Sequence, residues 1–278
     1  MGDVFECVKR LEQSLKSLPR SGDKSIWAAV GLAGMGMCSD QLIAAGKRLA
    51  DEHRSILTMH QSFGPNDVAL YQRLTGGKTA AAHLAQLEVL ADNVQLIHMI
   101  HAEESELEIL ARERVNVIHC PSASTRAGMG VSHVGRFPQM LEQGVNVALG
   151  SDAGTYSDFL DVGRQAYLAA TLHREAKQQV PTISAYQALE MATLNGARSL
   201  GIIDETGSLE VGKRADVVIQ SASRPEWHPL TNVVNNLIYG AQSVGVETVL
   251  VDGETVLEGG QFTRVDEQKQ YASIDAAA

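Results

Sequence analysis

The stretch NVALGSDAG, residues 146–154, places a charged side chain, Asp152, directly after an apolar run that is typical of a buried strand. Three earlier apolar runs also end on an ionisable residue, namely SILTMH on His60, NVQLIH on His98 and VNVIH on His119. Segments with the 3.6-residue apolar period of helices separate these runs. Short apolar strands that alternate with helices predict parallel βαβ units, and therefore an α/β fold.

The same patterns predict where the elements and domains lie. Strands are expected at 25–33, 55–60, 94–99, 115–119 and 145–150. Helices are expected at 3–17, 39–53, 66–74, 79–90, 103–115, 136–143, 160–176 and 182–202, with Ser39 and Thr182 as N-caps. After residue 201 the pattern changes to short β-rich stretches with Asp-Gly and Gly-Gly turns. We therefore expect a barrel-like part over 1–201, a small β-rich segment over 202–266 and a loose tail over 267–278.

The composition and net charge of the chain restrict the classes of partner that it is expected to bind. The chain has 278 residues and a formal net charge of -10, and it has no cluster of lysine or arginine. This argues against nucleic acid and anionic membranes as partners. No apolar run reaches the roughly 18 residues that a membrane span needs. Three scattered cysteines and the lack of a signal-peptide pattern at the start lead us to expect a cytoplasmic protein.

The strand-end side chains suggest metal chemistry. In a (β/α)8 barrel the reaction centre lies at the carboxyl ends of the strands, where His60, His98, His119 and Asp152 are expected. Imidazole and carboxylate groups are ligands for a divalent metal, and such a metal lowers the pKa of bound water to about 7. Asp152 could then accept the proton of that water. Taken singly, each of these residues could equally be structural, and Cys120 is expected to be a small buried hydrophobe.

Several motifs resemble the amidohydrolase superfamily, in the branch of S-adenosylhomocysteine/methylthioadenosine deaminases, guanine deaminase-like enzymes and triazine hydrolases. HCPSASTRAGMGV (119–131) is similar to the His-Cys-Pro loop of that branch, and NVALGSDAG to its last-strand aspartate motif. The most specific match is ATLNGARSLGIIDETGSLEVGKRADVVI, residues 192–219. HPLTNVVNNLIYGAQSVGVETVLVDGETVLEGG (228–260) resembles the closing segment.

The resemblance implies roles for the strand-end residues. His60 would be the fifth-strand metal ligand, and Asp152 the last-strand ligand and proton shuttle. His98 would orient and polarise water or substrate, and His119 would be a substrate-pocket residue. The implied cofactor is a divalent metal, zinc first and iron as the alternative. The implied fold is a partial TIM-like barrel comprising about strands 4–8, followed by the small β-rich segment.

The chain departs from the family pattern in three places. It contains no His-x-His pair, which in the family supplies two metal ligands from the first strand. We therefore expect the C-terminal portion of a longer enzyme, inactive alone. Phe63 stands where the family often has a glutamate that contacts a ring nitrogen. Ser124 replaces an asparagine, and Tyr156-Ser157 replace a Ser-Asn pair, so we expect these positions to contact a different substrate.

Three functions stay open. The first is metal-dependent hydrolysis or deamination at a non-peptide C–N bond of a small cyclic or heteroaromatic amine or amide. The second is hydrolysis of a C–halogen bond on the same scaffold, which the loss of the glutamate at Phe63 leaves open. The third is a truncated, non-catalytic protein that binds a ligand or partner, or folds only as a homo-oligomer.

Overall fold

The larger of two sheets is parallel and carries the residues of interest. The computed structural model describes residues 3–20 and 26–277, so residue 25 of the first predicted strand lies outside the described residues. The strands run in the order β1-β2-β3-β4-β5, and each neighbouring pair is parallel. They are β1 (Val30–Leu32), β2 (Leu57–Gln61), β3 (Val94–His98), β4 (Asn116–His119) and β5 (Asn146–Leu149). Their carboxyl ends therefore lie along one edge, and the predicted α/β class is confirmed.

Helices precede, connect and follow these strands. They are α1 (Val4–Ser17), α2 (Asp40–Glu52), α3 (Pro65–Leu74), α4 (Ala80–Gln86), α5 (Glu104–Arg112), α6 (Pro121–Arg126), α7 (Val131–Val134), α8 (Phe137–Glu142), α9 (Gly154–Ser157), α10 (Val162–Lys177), α11 (Ala185–Ala192) and α12 (Leu194–Ser199). The short helices α6, α7 and α9 were not predicted, because four to six residues are too few for a periodic apolar pattern.

The two faces of the parallel sheet differ in burial. Side chains on the face toward the helices are fully buried; they include Leu57, Met59, Val94, Leu96, Val117 and Val147. Helix α2 comes so close that a Cβ on its Gly46 would lie 3.1 Å from Leu32 Cδ1. Removing one such side chain from water contributes roughly 1.5–3 kcal/mol. The opposite face carries His60, Ile97 and Ile118, which are only partly buried.

Helix caps explain two boundaries. Ser39 caps α2 as predicted, and its side chain accepts the Leu42 N–H. The predicted cap of α11 at Thr182 is wrong, because Ser184 caps this helix instead. The Ser184 hydroxyl accepts the Gln187 N–H, and the Gln187 side chain accepts the Ser184 N–H. This reciprocal capping box requires Gln or Glu three residues after the cap, a condition that Ser184 meets.

The predicted β-rich segment contains a second, antiparallel sheet. Its strands run in the order β6 (Val217–Gln220), β7 (Val246–Val251), β8 (Glu254–Glu258) and β9 (Gln261–Phe262). Asp252 and Gly253 join β7 to β8 with φ of 52° and 81°, the left-handed geometry of a tight hairpin turn. No residue of these four strands is buried.

Helical segments flank this sheet. Between β6 and β7 lie a 3-10 turn (Pro225–Trp227), α13 (Val233–Asn235) and a π-helical stretch (Asn236–Ala241). The segment expected to be a loose tail forms α14 (Glu267–Asp275), which has no buried residue. Within the described part of the chain, no helix is both long and apolar enough to cross a bilayer.

Candidate active site

Three of the predicted residues meet at the carboxyl edge of the parallel sheet. His60 is the penultimate residue of β2, His98 ends β3, and Asp152 follows β5. The ring centroids of His60 and His98 are 5.4 Å apart. His98 Nε2 lies 3.6 Å from Asp152 Oδ2, which is within ion-pair range but longer than a hydrogen bond. Parallel strands thus bring together side chains that are 38 to 92 positions apart in the sequence.

Unusual backbone conformations aim two of these side chains. His98 has φ of 79° and Asp152 has φ of 64°, both in the left-handed region that residues other than glycine seldom adopt. The turn lets Asp152 Oδ1 accept the Ala153 N–H at 2.7 Å and leaves Oδ2 facing His98. Such conformations cost on the order of 1–3 kcal/mol each and cluster at functional sites.

Burial sets the charge of His98. This side chain is 3% exposed, and its Nδ1 has no hydrogen-bond partner. Burial lowers the pKa of His98 to about 4, the charge of Asp152 opposes that shift, and His60 adds to it. His98 is therefore a neutral imidazole at pH 7, able to donate a proton at one ring nitrogen and accept one at the other.

The described residues contain only part of a metal site. His60 and Asp152 have the imidazole and carboxylate donors that zinc prefers. However, no group of three or more His, Cys, Asp or Glu side chains among residues 3–20 and 26–277 could hold a metal ion. The donors present have the right chemistry but are too few, so the described residues do not form a metal site by themselves.

Phe63 lines this centre. Its ring meets the His98 ring edge to face, with centroids 6.2 Å apart and planes at 67°. The Phe63 N–H donates to Asp67 Oδ2 at 3.2 Å, which fixes the turn between β2 and α3. A hydrocarbon ring thus stands beside His98, and it has no acidic group to offer a substrate.

His119 lies on the other face of the sheet. It is fully buried and stacks on Phe137 with centroids 3.8 Å apart. His173 of α10 is also fully buried, 6.1 Å from His119. Neither ring has a hydrogen-bond partner. The structure thus places His119 in the helix-facing core, and its predicted contact with substrate stays a prediction. His173 belongs to this buried cluster.

The remaining predicted pocket residues differ in availability. Ser124 is fully buried and donates to the Cys120 carbonyl at 2.8 Å. Ser157 is 3% exposed and donates to the Phe159 carbonyl at 2.7 Å. The Ser124 hydroxyl thus bonds within α6, the Ser157 hydroxyl bonds at the end of α9, and both are engaged by the backbone. Tyr156, in contrast, is half exposed. Burial raises the pKa of the Cys120 thiol to about 12, so it stays protonated and is not a nucleophile.

Arg126 was not among the predicted site residues. Its guanidinium donates to the carbonyls of Thr155 and Tyr156 at 2.9 and 3.1 Å and pairs with Asp158 at 2.8 Å. It therefore ties α6 to α9, the short helix that follows Asp152. The sequence showed an arginine in the His-Cys-Pro loop, but nothing in it indicated which carbonyls it would bind.

Polar side chains that meet at the carboxyl ends of parallel strands are the usual place for an active site in an α/β protein. The profile described as "Amidohydrolase family" matches residues 4–256. The chain therefore belongs to the amidohydrolase family.

Known proteins agree with this assignment. The 5'-deoxyadenosine deaminase of Methanothermobacter thermautotrophicus is 31% identical over 281 residues, which cover 100% of this chain and 64% of the relative. A zinc-bound adenosine deaminase from Xanthomonas campestris superposes with a TM-score of 0.87 at 27% identity, over 98% of this chain and 60% of that one.

A zinc complex of atrazine chlorohydrolase from Arthrobacter aurescens gives a TM-score of 0.91 at 23% identity, over 99% of this chain and 60% of that chain; at that identity it shows the fold alone. This chain thus spans less than two thirds of the length of each of these three proteins.

Proposed function

We propose that this chain forms part of a metal-dependent hydrolase that removes an amino group from a small heteroaromatic amine. The observation that carries the proposal is the convergence of His60, His98 and Asp152 at the carboxyl edge of the sheet. Relatives named for deamination of adenosine analogues support the C–N bond as the reacting bond. A similar structure that contains zinc, the adenosine deaminase at 27% identity, supports a divalent metal and makes zinc our first choice, with iron as the alternative.

The proposed site is completed from outside the described residues. β1 and β5 each pair with one neighbour only, so the sheet has two open edges within the described part of the chain. We propose that the five strands are about strands 4–8 of a (β/α)8 barrel. Its other strands would supply the donors that His60 and Asp152 lack.

His98 and Asp152 would handle the protons. A divalent metal, when bound, makes water nucleophilic near neutral pH. The Asp152 Oδ2 carboxylate oxygen would accept a proton from the attacking water and pass it to the leaving amine. His98, neutral because it is buried, would donate a hydrogen bond to the developing negative charge without adding a positive charge to the site.

Phe63 favours a second candidate, hydrolysis of a C–halogen bond. Deamination of an aminopurine is helped by an acid that protonates the ring, and Phe63 cannot supply one. A halide, unlike an amine, leaves as an anion without being protonated, so this reaction needs one proton transfer fewer. The two candidates therefore differ in the product that the enzyme releases.

Two measurements test these proposals. Elemental mass spectrometry on the 278-residue chain should find well under one zinc per chain. The reason is that no group of three donor side chains among the described residues could hold the ion. A longer polypeptide with the complete barrel should bind zinc and release ammonia from adenosine analogues. Halide release from chlorinated heterocycles without ammonia release would select the second candidate. Neither product, from a folded and zinc-loaded protein, would leave a non-catalytic binding role.

A further inference from the structure

The end of β5 approaches β4 so closely that a side chain at position 150 would press on side chains of β4 and the residue after it. The Gly150 N–H donates to the His119 carbonyl at 2.9 Å, which extends the parallel pairing one residue beyond the strand. A Cβ at Gly150 would lie 2.9 Å from Ile118 Cγ2 and 3.1 Å from Cys120 Sγ. The Gly150 φ is not in the left-handed region, so the requirement is for space rather than for backbone freedom.

This contact is linked to Asp152. Two residues after Gly150 the chain adopts the left-handed turn that leaves Asp152 Oδ2 3.6 Å from His98 Nε2. The Asp152 backbone also hydrogen-bonds the Cys120 thiol. The Cys120 side chain therefore lies against both Gly150 and the turn at Asp152. The distance between β5 and β4 at Gly150 is therefore coupled to the position of the Asp152 carboxylate.

We propose that Gly150 is a positioning residue for Asp152: the missing side chain lets β5 seat against Ile118 and Cys120 and so fixes the carboxylate beside His98. The proposal rests on the proposed role of Asp152 in proton transfer. An added Cβ would have to move from 2.9 Å to the ordinary contact range, which starts at 3.4 Å, a displacement of about 0.5 Å. That is about the tolerance of a functional site, and a 1 Å misplacement can cost about 100-fold in rate.

The test is Gly150→Ala, studied by crystallography of the 278-residue chain. The distance from His98 Nε2 to Asp152 Oδ2 is expected to increase from 3.6 Å to beyond 4 Å. Ile118→Ala removes the nearer clashing atom, so the double variant G150A/I118A should restore the distance. Gly196→Ala is the matched control, since a Cβ there meets nothing within 4 Å. An unchanged distance in Gly150→Ala would overturn the proposal.

Kinetics in the complete enzyme give a second readout. Gly150→Ala should lower kcat about 10- to 100-fold with little change in KM. The double variant G150A/I118A should regain the kcat that the single variant loses. A loss that Ile118→Ala does not rescue would contradict positioning through this contact. If Gly150→Ala does not fold, Cys120→Val presses on the same contact and must lengthen the same distance. If the complete wild-type enzyme shows no activity, the proposed function is refuted, whereas the crystallographic test of Gly150 still applies.

Discussion

Replacing His173 should make the protein less sensitive to acid. His173 is fully buried, and neither of its ring nitrogens has a hydrogen-bond partner. Burial, and to a smaller extent the nearby charge of Lys177, lower its pKa from 6.5 to about 4 against the opposing effect of the Ser132 backbone. The unfolded chain therefore binds a proton at this site more readily than the folded chain does.

The sign and size follow from linkage. A group with a lowered folded-state pKa stabilises the fold above its unfolded pKa, and that stability is lost as the pH falls toward the folded value. For His173 the window runs from 6.5 down to about 4. At pH 5 the protonation terms of the unfolded and folded states differ by a factor of about 30, which is about 2 kcal/mol.

Urea unfolding at pH 8 and pH 5 measures this contribution. In His173→Phe the loss of unfolding free energy between the two pH values should be smaller than in the wild type by about 2 kcal/mol. Any change in packing acts at both pH values and cancels in the difference. His173→Gln should behave alike, and His133→Gln, at an exposed position, is the control. A loss as large as the wild type's in both His173 variants would refute the reasoning.

Three further outcomes are expected. Asp152→Ala should abolish zinc binding and turnover in the complete enzyme; retained turnover would contradict its proposed role. Phe63→Ala should change the ratio of substrates hydrolysed more than the zinc content, and an unchanged ratio would remove Phe63 from the pocket. Ser184→Ala should lower the unfolding free energy by about 1 kcal/mol in urea, because the α11 capping box is lost, whereas Thr182→Ala should leave the box intact.

Much of the fold could be predicted from local patterns. The strands that carry His60, His98 and His119 follow from apolar runs, because a strand buried by helices needs such a run. Ser39 was predicted as a cap because Ser before an apolar period is a local signal. The α11 cap was misplaced from Ser184 to Thr182, although Gln187 offered the capping-box signal.

The site was predictable in part. The sequence indicated that His60, His98, His119 and Asp152 would meet, since parallel strands align their carboxyl ends. The structure brings three of them together and places His119 in the core instead. It did not indicate that Ser124 and Ser157 donate to backbone carbonyls, nor that Arg126 binds carbonyls of α9. These contacts depend on short helices and turns that are too short for a periodic pattern to describe.

The sequence by itself determined the α/β class, the family and the residues that end the strands, because periodicity and motifs are local properties of the chain. Only the tertiary structure decided which face each strand-end side chain takes. The left-handed backbone at His98 and at Asp152 redirects these two side chains, and the approach of β5 to β4 depends on atoms of Ile118 and Cys120 about 30 positions away. That is why His119 lies in the core while His98 and Asp152 face each other.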